Sequence, residues 1–140
     1  MTGYILDASV AAKWFVREEL AEKAFLLLER GYEFHAPDFF FLEADSVICK
    51  WIRRGVLSET EGGAARAKLA ALPIKRHSTE SLRDSAYSIA LQTGCDVYDC
   101  LYLSLAVGLG APVITADRRF YEKLAKRPFA QHVVWLGDIV

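Results

Sequence analysis

The sequence predicts an α/β fold, a three-layer α/β/α sandwich around a central, mainly parallel five-stranded sheet. Three observations carry that expectation. Short apolar runs alternate with helix-like stretches along the whole chain. The runs do not alternate apolar with polar residues, as suits strands covered on both faces. Helical stretches separate the runs, supplying the right-handed crossovers that parallel neighbours need.

Tyr4-Ile5-Leu6 is the first run and stops at Asp7, and Ser9 is placed to cap a helix through Trp14-Phe15-Val16. Glu19 to Glu29 is amphipathic, with Leu20, Ala24, Leu27 and Leu28 on one face, and Gly31 ends it. Tyr32 to Ala36 is the second strand, and Pro37-Asp38 starts a long helix through Arg54, closed by Gly55. Ser58 and Glu61 form a capping box for a helix ending before Pro73. Ile74 to His77 is a short, less apolar strand, after which Ser78 or Thr79 caps a helix to Gln92. Asp96 caps a very apolar helix to about Gly108, Val113-Ile114-Thr115 is a strand, Asp117 opens a helix, and Val133-Val134-Trp135 is the last strand.

With 140 residues, 53% of them hydrophobic, the chain reads as a single domain spanning 1–140 with one real core. Its 17 Lys plus Arg balance 18 Asp plus Glu, a net charge of −1. That balance excludes a protein gripping nucleic acid by bulk positive charge alone. Cys49, Cys95 and Cys100 are an odd set without CxxC spacing, which fits a reducing, cytoplasmic home. The start, MTGYILDASV, lacks the basic and apolar regions of a signal peptide. Cys100 to Ala116 is apolar, but Gly108, Gly110 and Pro112 split it into a helix and a strand, so no membrane association is expected. Neither GxSxG nor GxGxxG occurs, which disfavours a serine hydrolase and a dinucleotide-binding domain.

In parallel sheets ligands bind beyond the carboxyl ends of the strands, where the strand order reverses. Asp7 follows the first strand and Asp117 closely follows the fourth, so two acids fall on that rim. Acids in apolar surroundings are the informative ones, because burying a charge is costly. Asp7, Glu43, Asp99 and Asp117 qualify, although Asp45 competes with Glu43: two positions along a helix face about 200° apart, so one of them points inward. Four acids sharing a pocket need a cation, and an all-oxygen donor set selects Mg2+, Mn2+ or Ca2+ over zinc. Such a site suits metal-assisted hydrolysis of phosphodiesters, with one or two ions.

The chain resembles the PIN-domain nucleases, most closely the VapC-type toxin ribonucleases. The resemblance spans essentially the whole sequence and rests on ILDASV around Asp7, Ala-Pro-Asp with FFLEADSV around Glu43, VYDCLYLSLA around Asp99 and VITADRRF around Asp117. It selects Glu43 over Asp45 and implies that Asp7, Glu43, Asp99 and Asp117 are the catalytic and metal-binding quartet. It further implies a Mg2+ or Mn2+ cofactor, an RNA substrate, a homodimer and a small antitoxin protein as partner. The expected activity is that of a metal-dependent endoribonuclease, the toxin of a type II toxin–antitoxin pair. The alternatives are a PIN-domain ribonuclease of RNA maturation or turnover without an antitoxin, and a non-catalytic PIN-like binding module.

Around the quartet, Ser9 and Thr115 stand two residues from Asp7 and Asp117 and can orient carboxylates or water, while Ser9 equally suits a helix cap. Asp96 shares a helix face with Asp99 and is either an N-cap or a metal-site residue. Arg118 and Arg119 can hold RNA phosphates or be merely solvated. Phe39-Phe40-Phe41 cannot be wholly buried by one helix face, so part of it is expected at a partner surface.

Overall fold

The computed structural model describes residues 3–125 and 128–140. Five strands form one sheet: β1 (Gly3–Leu6), β2 (Glu33–Pro37), β3 (Ile74–His77), β4 (Val113–Thr115) and β5 (Val133–Trp135), in the order β3-β2-β1-β4-β5. Every pairing is parallel, so the sheet carries no antiparallel strand among the described residues. The order runs outward from β1 in both directions. Right-handed crossovers therefore put the helices between β1 and β3 on one face and those after β3 on the other.

The helices are α1 (Ala8–Ala11), α2 (Ala21–Glu29), α3 (Phe39–Arg53), α4 (Glu59–Ala71), α5 (Thr79–Thr93), α6 (Val97–Leu109) and α7 (Arg118–Leu124). Most boundaries follow local chemistry visible in the sequence. Ser58 accepts from the Glu61 N–H while Glu61 reaches back to the Ser58 N–H, the reciprocal capping box that starts α4. Ser78, not Thr79, caps α5; Thr79 instead donates both its N–H and its hydroxyl to Asp38 Oδ1. Gly94 and Gly110 end α5 and α6 with positive φ, the left-handed turn that glycine adopts without a Cβ clash.

The first helix departs from expectation. Asp7 occupies its N-cap position and Ser9 lies inside it, while α1 ends at Ala11 and tightens into a 3₁₀ turn over Ala12–Trp14. The helix thus stops short of Val16, and Ser9 is not a cap. The tightened turn lets Trp14 reach across and donate from Nε1 to the Ala24 carbonyl at 2.9 Å. The second helix starts at Ala21 rather than Glu19, because Leu20 takes a left-handed conformation with φ of 69°.

The core is continuous across the sheet. Ile5, Leu6, Val113 and Ile114 have no exposure, and α6, which packs on β1, β2 and β4, buries Cys100 to Ala106 without a break. The Phe39–Phe41 run divides as expected: Phe40 is fully buried, while Phe39 and Phe41 are partly so. His35 and His77 bond to each other at 2.9 Å, and His35 also bonds Glu33 at 2.8 Å, so these histidines serve the β2–β3 edge. Cys49, Cys95 and Cys100 are free thiols, and among the described residues no helix is long and apolar enough to cross a membrane.

Ile114 sits at the centre of β4, paired with Leu6, directly before the residues that reach the rim. Ile114→Ala should lower stability by about 2–5 kcal/mol through lost burial and a residual cavity, as chemical denaturation will measure.

Candidate active site

Asp7, Glu43, Asp99 and Asp117 line one cavity of about 480 Å³ at the carboxyl end of the sheet. The cavity lies where β1 and β4 part company, since the chain leaves β1 towards β2 but returns to β4 on the other side. Its wall is completed by Ser9 and Ser46 and by apolar groups that include Phe39, Leu42 and Phe120.

Asp7 is held most firmly. Its Oδ2 accepts the Ser9 hydroxyl at 2.6 Å and the Thr115 hydroxyl at 2.7 Å. Each hydroxyl is used twice, because Ser9 Oγ accepts the Ala116 N–H at 3.0 Å and Thr115 Oγ1 accepts the Asp117 N–H at 3.0 Å. Thr115 is fully buried, which a hydroxyl tolerates only when so paired. The network fixes the chain on both sides of the β1–β4 boundary. Of the alternatives open for Ser9, the orienting one is observed. Burial pushes the Asp7 carboxyl above its ordinary range, aided by the charge of Asp117 and opposed by the two hydroxyls.

Glu43 projects from the second turn of α3, whose start is fixed by the Asp38–Thr79 bonds and by the Phe39 N–H donating to Thr79 Oγ1 at 3.2 Å. Tyr102, 1% exposed, donates its hydroxyl to Glu43 Oε1. Asp45 points elsewhere, into a paired ion bridge with Arg66 at 2.7 and 3.1 Å, so the inward acid of the pair is Glu43. Burial raises the Glu43 carboxyl to about 7, with Asp7, Asp99 and Asp96 adding repulsion against the lowering effect of Tyr102.

Asp99 stands in the first turn of α6, and burial followed by the charges of Asp96, Asp7 and Asp117 raises it to about 7, with Lys123 opposing. Asp96 accepts the Asp99 N–H at 2.9 Å as the N-cap of α6 and does not line the cavity. Its side chain is a cap, and it bears on the cavity through its charge. Asp117 likewise caps α7, accepting from Arg119 and Phe120, while also facing the cavity. Arg118 lies over the Trp135 ring at 3.9 Å, and neither Arg118 nor Arg119 lines the cavity. Two polar residues at the site had no assigned part in the sequence: Ser46, which lines the cavity, and Tyr102, which bonds Glu43. The signal of Tyr102 was a phenol three residues beyond Asp99 on an otherwise apolar helix.

The donor set is all oxygen, and two of its carboxyls are raised to about 7, first by burial and then by the negative charge of their neighbours. No ion pair among the described residues involves any of the four. That chemistry fits a hard divalent cation. Among the described residues no three His, Cys, Asp or Glu side chains stand in a metal-holding arrangement. Glu43 is turned to Tyr102 and Asp7 to its hydroxyls, so side-chain rotation would accompany ion entry.

The family model of the PIN domain matches residues 4–126. The chain belongs to the PIN-domain family. Ribonuclease VapC3 of Pyrobaculum aerophilum is 33% identical over 121 residues, 85% of this chain and 92% of that protein. Among solved structures, a protein of Pyrobaculum aerophilum superposes with a TM-score of 0.72 at 19% identity, covering 97% of this chain and 85% of its own. A toxin–antitoxin complex from Klebsiella pneumoniae gives a TM-score of 0.68 at 13% identity, with 94% and 96% covered. At those identities the structural likeness is one of fold. This PIN domain is a three-layer α/β/α sandwich with an all-parallel sheet.

Two variants test the electrostatics. Glu43 and Asp99 bind protons more tightly folded than unfolded, so stability from them is greatest below the ordinary carboxyl range near pH 4 and falls as pH rises towards 7. Metal-free Asp99→Asn should therefore be more stable than the wild type at pH 8 by about 1 kcal/mol, a figure reduced for solvent screening, and the advantage should vanish at pH 4. Thermal melts across pH decide it. Asp96→Ala should instead cost about 1 kcal/mol as a lost cap. Calorimetric titration with Mn2+ should show far less loss of affinity for Asp96→Ala than for Asp99→Asn.

Proposed function

We propose that this protein is a Mg2+- or Mn2+-dependent endoribonuclease and the toxin of a type II toxin–antitoxin pair, in which one domain, residues 1–140, carries the whole activity. The observation that carries the reading is the convergence of Asp7, Glu43, Asp99 and Asp117, from four separate segments, on one cavity. The 33%-identical relative named a ribonuclease supports the activity, and the similarity to a toxin–antitoxin complex supports the partner. In this reading the protein pairs with a second copy, acts on RNA in the cytoplasm, and is restrained by a small antitoxin.

Asp7, Asp99 and Asp117, with Glu43, would hold the divalent cation. When bound, that ion supplies the positive charge that acidifies water to a nucleophile and offsets the charge of the phosphate. The protein's own residues prepare that site. Ser9 and Thr115 anchor Asp7 at the rim, the caps of α6 and α7 set the backbone around Asp99 and Asp117, and Tyr102 holds Glu43 at the cavity wall. Glu43, raised to about 7, is suited to hold or release a proton at neutral pH.

Incubation of purified protein with total cellular RNA should give discrete cleavage in Mg2+ or Mn2+ and none in chelator. Asp7→Asn and Glu43→Gln should each reduce cleavage at least about 100-fold, and Thr115→Val about 10–100-fold through loss of the group orienting Asp7. RNA left intact by the wild type in both metals would overturn the proposal.

A further inference from the structure

The acidic floor of the cavity is bordered by an apolar edge that the chemistry of carboxylates leaves without a task. Phe39, the first residue of α3, lines the cavity, and its ring is stacked against Tyr98 with centroids 5.2 Å apart and planes 22° from parallel. The other aromatic pairs among the described residues meet at steeper angles, from 38° to 87°. Tyr98 is the residue before Asp99 and is 56% exposed, and Leu42, which lines the cavity with Phe39, is 64% exposed.

Both rings are placed by rigid elements. Phe39 is fixed by its N–H bond to Thr79, and Tyr98 lies in the first turn of α6, which Asp96 caps. One face of the Tyr98 ring is backed by Phe39, and much of the residue remains in water. A flat exposed ring next to a phosphate-handling pocket offers a π-face to whatever base neighbours the phosphate. An unpaired nucleotide can turn its base onto that face, whereas a base inside a duplex is already sandwiched between its neighbours.

We propose that Tyr98, backed by Phe39, is a stacking shelf for an unpaired nucleobase adjoining the scissile phosphate, and that it gives the site its preference for single-stranded or looped RNA. This inference rests on the ribonuclease reading for its ligand. It assigns affinity to a surface outside the carboxylates, so it is separable from catalysis by measurement.

The test uses single-stranded RNA carrying 2-aminopurine on either side of the cleaved bond, titrated in Ca2+ to follow binding and in Mg2+ to follow cleavage. Wild type and Tyr98→Phe should quench the probe at one of the two positions. Tyr98→Ala and Tyr98→Leu should not, should bind about 10-fold more weakly, and should raise KM by a similar factor with kcat nearly unchanged. The exposure of Tyr98 means that these variants should melt with the wild type. Equal quenching and affinity in wild type and Tyr98→Ala would overturn the shelf while leaving the nuclease standing. If the wild type cleaves nothing, the ribonuclease reading falls, and loss of quenching in Tyr98→Ala still upholds the shelf as an RNA contact. Unchanged RNA binding together with weakened binding of a co-expressed antitoxin would assign the rings to a protein partner and overturn the proposal.

Discussion

The structure is organised around one electrostatic conflict, the crowding of Asp7, Glu43, Asp99 and Asp117 at a single opening of the sheet. Burial and mutual repulsion push the carboxyls of Glu43 and Asp99 up to about 7. A fold seeking only stability would replace such groups with apolar ones, since half-compensated buried charges cost more than they return. Retaining them requires that the surrounding backbone be fixed by other means. Ser9 and Thr115 tie Asp7 to the chain leaving β4, Asp96 and Asp117 complete the starts of α6 and α7, and Asp38 and Thr79 anchor α3. The hydrogen bonds around the rim hold the carboxyls where they would not otherwise gather.

The same conflict explains how a chain with a net charge of −1 can serve a polyanion. The free cavity repels phosphate, and a divalent cation reverses the local sign. Three of the 17 cations are engaged away from the cavity: Arg66 pairs with Asp45, Arg76 lies over Phe41, and Arg118 lies over Trp135. With a net charge of −1, little of the proposed RNA affinity would come from counter-ion release, leaving it to the ion and to contacts with the bases. The rings beside Asp99 meet the second need, which ties the substrate's shape to the low net charge.

The alternation of elements, the parallel sheet and three of the cavity acids, Asp7, Asp99 and Asp117, were legible in the sequence because each has a short-range signature, whereas Glu43 was separated from Asp45 by the family resemblance. Unalternating strands, capping residues and acids in apolar runs are all local patterns. What was hidden depended on tertiary partners. Ser9 resembles a cap in sequence, yet its hydroxyl is claimed by Asp7 and by the Ala116 N–H, a residue more than a hundred positions away. The choice between Glu43 and Asp45 turns on Arg66 from α4, which draws Asp45 outward. The tightening of the first helix after Ala11 brings the Trp14 indole to the Ala24 carbonyl, a partner that no local pattern reveals. Tyr102 was obscured by its setting, since a phenol within an apolar helix reads as core until its hydroxyl is seen on Glu43.

That phenol also shapes what happens when an ion enters. Metal ligation requires ionised carboxylates, so Glu43 and Asp99, raised to about 7, would hold a divalent cation only as carboxylates, and affinity for it would rise with pH through that range. The Tyr102 hydroxyl favours the ionised form of Glu43, offsetting part of the cost of its burial. Tyr102 itself is driven well above its ordinary range by burial and by the charges of Glu43 and Asp7, so its proton stays on the phenol. A donor that cannot ionise is a fixed partner. It steadies Glu43 at the cavity wall and leaves the carboxylates as the groups whose protonation would answer to an ion.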